Sequence, residues 1–306
     1  MEAAALTTSA LAQAQPRRWQ VANRGESGGS LQIAGWDFGG SGEVAMLQHA
    51  NGMCAALWAP LVDLLKHRYR VIAVDARGHG NSQHLTVPGD YAWSMMVDDL
   101  VAVSDALCEE FELDAIPLAL GSSFGSILLA AAEARAHRFE RLVMLDPPIH
   151  PTAELVAAMG IDFTPPPSKQ GVLVEQTLKR KSVWPSRQAA RDAWREKPLF
   201  APWGDAAFDL YLSEGMRDRP DGQVELKCPP TVEAHIFAST GSLGLLEYAP
   251  QVHIPVHLVR ATAGHFSAEF YAHVAATFPD CVLSELQAGH MLPFEVPDQV
   301  ARLVLE

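Results

Sequence analysis

The chain has 306 residues, of which 48% are apolar and 19% are charged. This balance is typical of a globular protein with a buried core, and it excludes a disordered or fibrous chain. The 23 basic and 36 acidic residues give a formal net charge of −13, which repels nucleic acid and anionic lipid. We therefore expect neither a nucleic-acid partner nor a membrane partner, and the length predicts one large domain with an additional segment.

Cysteine usage and the first residues bear on the compartment. The four cysteines are far apart, with no CxxC pair, and the histidines form no cluster at zinc-ligand spacing. We expect a reduced compartment, no metal and no cofactor. The Ala-rich start lacks the basic and continuous apolar regions of a secretory signal, and no apolar run reaches the roughly 18 residues of a membrane span. These features predict a soluble, cytoplasmic protein.

Short apolar runs alternate with helical patterns along most of the chain. The predicted strands cover residues 31–36, 44–48, 69–74, 116–120, 142–145, 253–259 and 281–286. The predicted helices cover residues 53–67, 91–112, 124–136, 265–278 and 297–305. This alternation predicts an α/β fold whose mostly parallel sheet is covered by helices on both faces. The first two strands, separated by residues 39–42, are expected to form an antiparallel edge.

The strand pattern stops between Pro147 and Pro250. The composition changes there to a triple proline at 165–167, several tryptophans, and helical patterns at residues 152–159 and 187–195. We interpret residues 149–250 as a helical cap, or lid, inserted into a core formed by residues 1–148 and 251–306.

The cap is rich in large aromatic side chains that could line an acyl or alcohol pocket, and we expect most of them to pack the cap against the core. They are Phe163, Trp184, Trp194, Phe200, Trp203, Phe208 and Tyr211. Basic residues of the cap could attract an acidic substrate, but we favour a solvated helix face for them. They are Lys179, Arg180, Lys181, Arg187 and Arg191.

The strongest chemical signal is Gly121-Ser122-Ser123-Phe124-Gly125, where an apolar strand runs into Gly-x-Ser-x-Gly and then into an Ala-rich helix. This context is the one that a nucleophile elbow requires. Small residues at 121 and 125 let the strand and helix pack closely around a strained serine. Ser123 is therefore the candidate nucleophile, although a Gly/Ser-rich turn without chemistry gives the same letters.

A serine hydroxyl needs a base, and two histidines share an Ala-Gly-His signature. His290 follows the last predicted strand, so it lies on a loop at the same sheet edge as Ser123. His265 opens a helix one strand earlier, and we interpret it as a capping or surface residue. We predict that His290 is the base.

Four motifs in this order resemble the α/β-hydrolase superfamily of cap-bearing serine hydrolases. Beside the elbow and the histidine loop, His49-Ala50-Asn51-Gly52-Met53 follows the third strand in family order. Asp75-Ala76-Arg77-Gly78-His79-Gly80-Asn81-Ser82 follows the fourth. The resemblance covers about residues 31–148 and 252–302, and it implies an eight-stranded sheet with the cap after strand 6.

The resemblance also implies an oxyanion hole made by the backbone N–H groups of Phe124 and Asn51. The third triad member departs from the family pattern, because residues 259–267 contain no carboxylate where an aspartate usually stands. A minority of the superfamily takes its acid from the end of strand 6, which is Asp146 here. Glu269 is the alternative acid.

We also expect His49, Ser122 and Trp184 to contact the substrate. The resulting hypothesis is a serine hydrolase that cleaves a small ester or lactone through an acyl-enzyme, with a small-molecule substrate as its partner. Carbon–carbon bond hydrolysis or acyl transfer by the same residues is an alternative. A non-catalytic ligand-binding protein with this fold is another. The sequence leaves the substrate and the oligomeric state open.

Overall fold

The computed structural model describes residues 9–149, 169–239 and 245–306. The predicted helix at residues 152–159, the triple proline at 165–167 and Phe163 lie outside the described residues. None of the described helices is both long and apolar enough to cross a membrane.

Eleven strands are described. They are β1 Gln15–Ala22, β2 Ser30–Asp37, β3 Glu43–Gln48, β4 Tyr69–Asp75, β5 Leu118–Ser122, β6 Leu142–Leu145, β7 Val183–Trp184, β8 Met216–Asp218, β9 Val224–Leu226, β10 Val256–Ala261 and β11 Cys281–Leu286. Eight of them form one sheet in the order β1-β2-β4-β3-β5-β6-β10-β11. β2 is antiparallel to both of its neighbours, and the other pairs are parallel. The predicted eight-stranded, mostly parallel sheet is confirmed.

The described helices are α1 Ser9–Gln13, α2 Ala59–Leu65, α3 Trp93–Phe111, α4 Phe124–Ala136, α5 Lys169–Leu178, α6 Arg187–Trp194, α7 Asp205–Glu214, α8 Pro230–Ala238, α9 Leu245–Tyr248, α10 Ala268–Ala275, α11 Leu292–Glu295 and α12 Pro297–Leu305. The core lies on both faces of the large sheet. Along β3, for example, Met46 packs in a cluster with α3 and α4, whereas Leu47 packs in a second cluster with α2 and α12. Neighbouring residues of a strand point to opposite faces of the sheet, and helices cover both faces. This explains why the strands are nearly continuously apolar.

The predicted pairing of the first two strands is wrong. β2 and β3 are not neighbours, because β4 lies between them. The glycine-rich connection crosses the start of β4: a Cβ on Gly40 would lie 2.0 Å from the Tyr69 carbonyl oxygen, and one on Gly42 would lie 2.2 Å from that of Arg68. Both glycines also have positive φ. They therefore serve a close crossover and not a hairpin.

The segment between β6 and β10, which we call the insertion (residues 149–250), carries α5 to α9 in its described part. It also contains a small antiparallel sheet in the order β7-β9-β8. The sequence predicted no strands here, because strands of two or three residues are too short to show alternation.

Aromatic residues of the insertion pack against two loops of the core. Trp203 lies 4.7 Å from Phe294 between ring centroids, and the Gly204 N–H donates to the Phe294 carbonyl oxygen at 2.9 Å. Met53 and Met291 belong to the same apolar cluster. The insertion is thus docked at the sheet edge where the predicted site residues lie.

Candidate active site

Ser123 lies in a strained turn between β5 and α4, with φ 52° and ψ −124°. A non-glycine residue keeps such a conformation only where its surroundings enforce it. A Cβ on Gly121 would lie 2.4 Å from Ser126 Cα, and one on Gly125 would lie 2.3 Å from the Gln48 carbonyl oxygen. The two glycines allow the approach that the turn needs, as the sequence predicts.

The structure brings Ser123, His290 and Asp146 into one chain of hydrogen bonds. His290 Nε2 lies 2.8 Å from Ser123 Oγ, and His290 Nδ1 lies 2.6 Å from Asp146 Oδ2. An ionised carboxylate only accepts hydrogen bonds, so the Nδ1–H donates to Asp146. Nε2 is then left as the acceptor for the serine hydroxyl, and the imidazole is set up as a base.

Asp146 is held by two further donors. It is 2% exposed and has φ 43°. Its Oδ1 accepts a hydrogen bond from the Ala261 N–H at 2.9 Å and another from the Tyr271 hydroxyl at 2.9 Å. Burial raises the pKa of Tyr271, so this hydroxyl stays protonated and donates. Oδ2 is thus left to accept the hydrogen bond from His290.

Glu269, the alternative acid, lies on the exposed side of the first turn of α10. The carboxylate that reaches His290 is that of Asp146. Closeness to His290 in sequence does not identify its carboxylate partner. Asp146 and His290 are 144 residues apart in the chain, and yet they meet at one edge of the sheet.

Contacts that the sequence does not predict surround His290. The Glu295 carboxylate accepts hydrogen bonds from the N–H groups of Gly289 at 2.6 Å and Met291 at 3.1 Å, and so holds both sides of the histidine loop. The His265 ring lies 4.9 Å from that of His290 between centroids. A carboxylate five residues after a loop histidine is the only sequence signal for Glu295.

The two predicted oxyanion donors lie on loops that the fold brings together. Phe124 is the first residue of α4, so its N–H has no intrahelical acceptor. Asn51 follows β3, whose last residue Gln48 is in close contact with Gly125 at the start of α4. The close approach at Gly125 therefore places the loop of Asn51 beside the elbow.

His49 does not face a substrate, which differs from the prediction. It is 1% exposed. Its Nδ1 is 2.8 Å from the Ala50 carbonyl oxygen, and its Nε2 accepts the Ala76 N–H at 3.0 Å. Both ring nitrogens thus bind backbone, and burial lowers the pKa of His49 to about 4. The ring is a neutral support between the loops that follow β3 and β4.

Ser122 is buried in the sheet, and Trp184 makes its contacts within the insertion. Ser122 is fully buried in β5. Trp184 belongs to β7, where its ring packs at 5.1 Å from that of Trp194 and its Nε1–H donates to the Lys181 carbonyl oxygen at 3.1 Å. These contacts are internal to the insertion, so they argue for packing and not for substrate contact.

The insertion touches the loop of Asn51 directly. Asn51 Nδ2 donates to the Glu233 carbonyl oxygen at 3.1 Å, and a Cβ on Gly52 would lie 3.0 Å from the Glu233 carboxylate. Arg180 pairs with that carboxylate and donates to the Tyr211 hydroxyl at 3.2 Å. Arg180 is therefore a half-buried partner of the buried Glu233 carboxylate, whereas the prediction placed it on a solvated face.

The fold and this site define an α/β hydrolase, and comparison with known proteins agrees. A family model described as "Alpha/beta hydrolase family" matches residues 44–303. The chain belongs to this family, and hydrolysis is the general activity that the membership supports.

Two kinds of relatives are similar to the chain. A Caulobacter segnis protein named "Putative carbamate hydrolase RutD" is 40% identical over 76 residues, which are 25% of this chain and 28% of that protein. The match thus spans about a quarter of the curated relative. Solved structures similar in fold include an E-2-(acetamidomethylene)succinate hydrolase, with TM-score 0.69, 20% identity, and coverage of 95% of this chain and 98% of that one. The enol-lactonase of Burkholderia xenovorans LB400 has TM-score 0.61 and 20% identity, covering 90% and 95%.

Proposed function

We propose that the protein is a serine hydrolase in which Ser123, His290 and Asp146 form the catalytic triad. The observation that carries the proposal is the continuous hydrogen-bond chain from Ser123 Oγ through His290 to the buried Asp146. A serine at a strained turn with a base at 2.8 Å is the arrangement that acyl transfer requires.

The proposed reaction begins when Ser123 Oγ attacks the substrate carbonyl carbon and gives its proton to His290 Nε2. The N–H groups of Phe124 and Asn51 bind the oxyanion of the tetrahedral intermediate. That intermediate collapses, and the leaving group takes the proton from His290. Water, deprotonated by the same imidazole, then attacks the acyl-enzyme and releases the acid and free Ser123.

We propose a carboxylic ester or lactone as the substrate. The apolar cluster that the insertion forms with Met53 and Met291, and the 8% exposure of Ser123, support a small organic molecule as the substrate. The likeness in fold to an enol-lactonase is compatible with this class.

A carbamate is the second candidate, and the 40% identity to a protein named a carbamate hydrolase favours it. The same attack on the carbonyl carbon then expels the alcohol and leaves a carbamoyl-enzyme, and its hydrolysis gives a carbamic acid that breaks down to an amine and carbon dioxide. Parallel assays with an aryl ester, a lactone and an aryl carbamate separate these substrates.

We propose that residues 149–250 act as the cap of this site. The contacts of Trp203 with Phe294 and of Glu233 with Asn51 support this role, since they tie the insertion to both loops that carry candidate site residues. The core would then comprise residues 1–148 and 251–306.

The first test is hydrolysis of an aryl acetate together with labelling by a fluorophosphonate. We expect turnover and a covalent adduct at Ser123, and the loss of both in Ser123→Ala. The matched control is Ser126→Ala, which removes a buried hydroxyl three residues further on and should keep activity. Undiminished turnover in Ser123→Ala contradicts the proposal.

A further inference from the structure

We propose that Tyr271 is a positioning residue that fixes the orientation and basicity of Asp146, and through it the proton affinity of His290. This inference rests on the proposed triad. Tyr271 lies on α10, 125 residues from Asp146 in sequence, and is fully buried. Neither the motifs nor the predicted helices single it out.

The two carboxylate oxygens of Asp146 accept hydrogen bonds from different donors. Oδ1 accepts from the Ala261 N–H and the Tyr271 hydroxyl, and Oδ2 accepts from the His290 Nδ1–H. A carboxylate can rotate about its terminal torsion, which has no sharp minimum. Two donors on one oxygen stop that rotation, so Oδ2 remains 2.6 Å from the imidazole.

Tyr271 also lies against the chain just after Asp146. Its oxygen lies 3.0 Å from the Pro147 carbonyl oxygen, within hydrogen-bond distance, as well as 2.9 Å from Asp146 Oδ1. Asp146 has φ 43°, a conformation that needs such support. A single hydroxyl therefore contacts both the side chain of Asp146 and the peptide that comes after it.

The hydroxyl also affects the charge of the triad. A hydrogen bond donated to a carboxylate stabilises its ionised form and draws away part of its negative charge. Without the tyrosine hydroxyl, Asp146 would carry more of that charge toward His290 and would favour the imidazolium. Removing the hydroxyl should therefore move the acidic limb of the pH–rate profile to higher pH.

Other titratable groups of the described residues also lie beside this pair. The His265 ring packs on that of His290, and Glu295 binds the backbone on both sides of it. Burial raises the pKa of Tyr271 on balance, although the positive charge of Arg260 on β10 acts to lower it, and Arg260 forms an ion pair with Glu285. All of these groups remain in place when the tyrosine loses only its oxygen.

The test is Tyr271→Phe, assayed with an aryl acetate across pH. We expect kcat to fall about tenfold, the order expected for one hydrogen bond to a charged group, with KM changed less than about twofold. We also expect the acidic limb of the pH profile to move to higher pH. The His290 Nδ1-proton resonance in NMR should show the same shift of titration midpoint.

Tyr91→Phe is the matched control. Tyr91 is 2% exposed and its hydroxyl bonds only the backbone of Leu85, at 2.8 and 2.9 Å. It measures the general cost of deleting a buried tyrosine hydroxyl. The same kcat and the same pH limb in both variants would overturn the proposal.

Failure of the proposed function is distinguishable from failure of this inference. If Ser123→Ala keeps full turnover, the triad is refuted by that result alone. The NMR titration then still decides whether Tyr271 acts on His290: a raised midpoint in Tyr271→Phe supports the coupling, and an unchanged midpoint overturns it.

Discussion

Asp146 combines burial, a positive φ and three accepted hydrogen bonds, so its carboxylate has little freedom. In a triad, the acid holds the imidazole in the tautomer that accepts the serine proton, and it stabilises the imidazolium that forms. An exposed carboxylate such as Glu269 could not do this, because water would compete for its oxygens. Geometry and burial therefore favour the same residue.

We predict that Asp146→Asn lowers kcat by a factor on the order of 10⁴, because the amide can favour the wrong imidazole tautomer. The measurement is steady-state hydrolysis of an aryl acetate. Glu269→Gln is the control and should stay within about twofold of wild type. Activity of Asp146→Asn within about tenfold of wild type would assign the acid elsewhere.

Ser123 and His290 could be placed from sequence because each belongs to a local pattern of strand, glycine and loop. Asp146 could be proposed as the acid only because residues 259–267 contain no carboxylate. Tyr271 and Glu295 could not be predicted, since their importance depends on contacts with Asp146 and with the backbone beside His290. His49 was assigned the wrong partner, because an isolated sequence letter does not show that both ring nitrogens bind backbone.

At the scale of elements, the insertion and the loop of Asn51 are held together by a charged cluster. Glu233 of α8 binds Asn51 through its carbonyl oxygen, and burial raises the pKa of its carboxyl group. Arg180 supplies the opposite charge. Removing one member of such a pair leaves a buried charge without a partner, which costs far more than losing a surface pair.

We predict that Arg180→Met lowers kcat toward a hundredfold by releasing Glu233 and displacing Asn51, the low end of losses for one oxyanion donor. Arg180→Lys should recover part of the rate. Arg187→Met is the control: Arg187 pairs with Asp218, whose side chain is 79% exposed, so its effect should be small. Equal rates in Arg180→Met and Arg187→Met would contradict the coupling.

Helices and strands were predicted correctly where the sequence contains a long apolar run or a long apolar helix face. The bounds of α4 and α12 match their predictions, whereas β1 escaped notice because only Trp19 and Val21 of its eight residues are buried. The order of the sheet near its antiparallel end could not be predicted, since a glycine-rich connection suits a hairpin or a crossover equally well. The structure shows a crossover, because Gly40 and Gly42 lie close to the carbonyl oxygens of Tyr69 in β4 and of Arg68 just before it.

For the whole molecule, buried titratable groups give stability a pH dependence. Burial lowers the pKa of His49 to about 4 and raises that of Asp75 to about 6. The stabilisation from neutral His49 is present above its ordinary pKa of 6.5 and is lost as pH falls through about 4. Asp75 acts oppositely: its contribution is present below 3.8 and is lost as pH rises through about 6. The two therefore offset each other between these limits.

We predict that His49→Gln removes one side of this balance. The variant should be less stable at pH 7, but lowering the pH from 6.5 to 4.5 should shift its free energy of unfolding in the stabilising direction relative to that of wild type, because only the Asp75 contribution remains. The full His49 contribution is about 3 kcal/mol. Urea unfolding at a series of pH values measures it, and His273→Gln, at an exposed histidine, should follow the wild-type curve. Parallel curves for wild type and His49→Gln would refute the prediction.

The proposed acid, Asp146, directly after β6, has a consequence for engineering. Asp146 is separated from the insertion by only Pro147 and Pro148, and the Tyr271 oxygen of the core lies 3.0 Å from the Pro147 carbonyl oxygen. If the acid came after a later strand, the insertion and the acid would lie on separate stretches of backbone. In this chain, grafting a foreign insertion also splices the backbone that carries the acid. A chimera should therefore keep residues 146–149 native and replace only insertion residues beyond position 149.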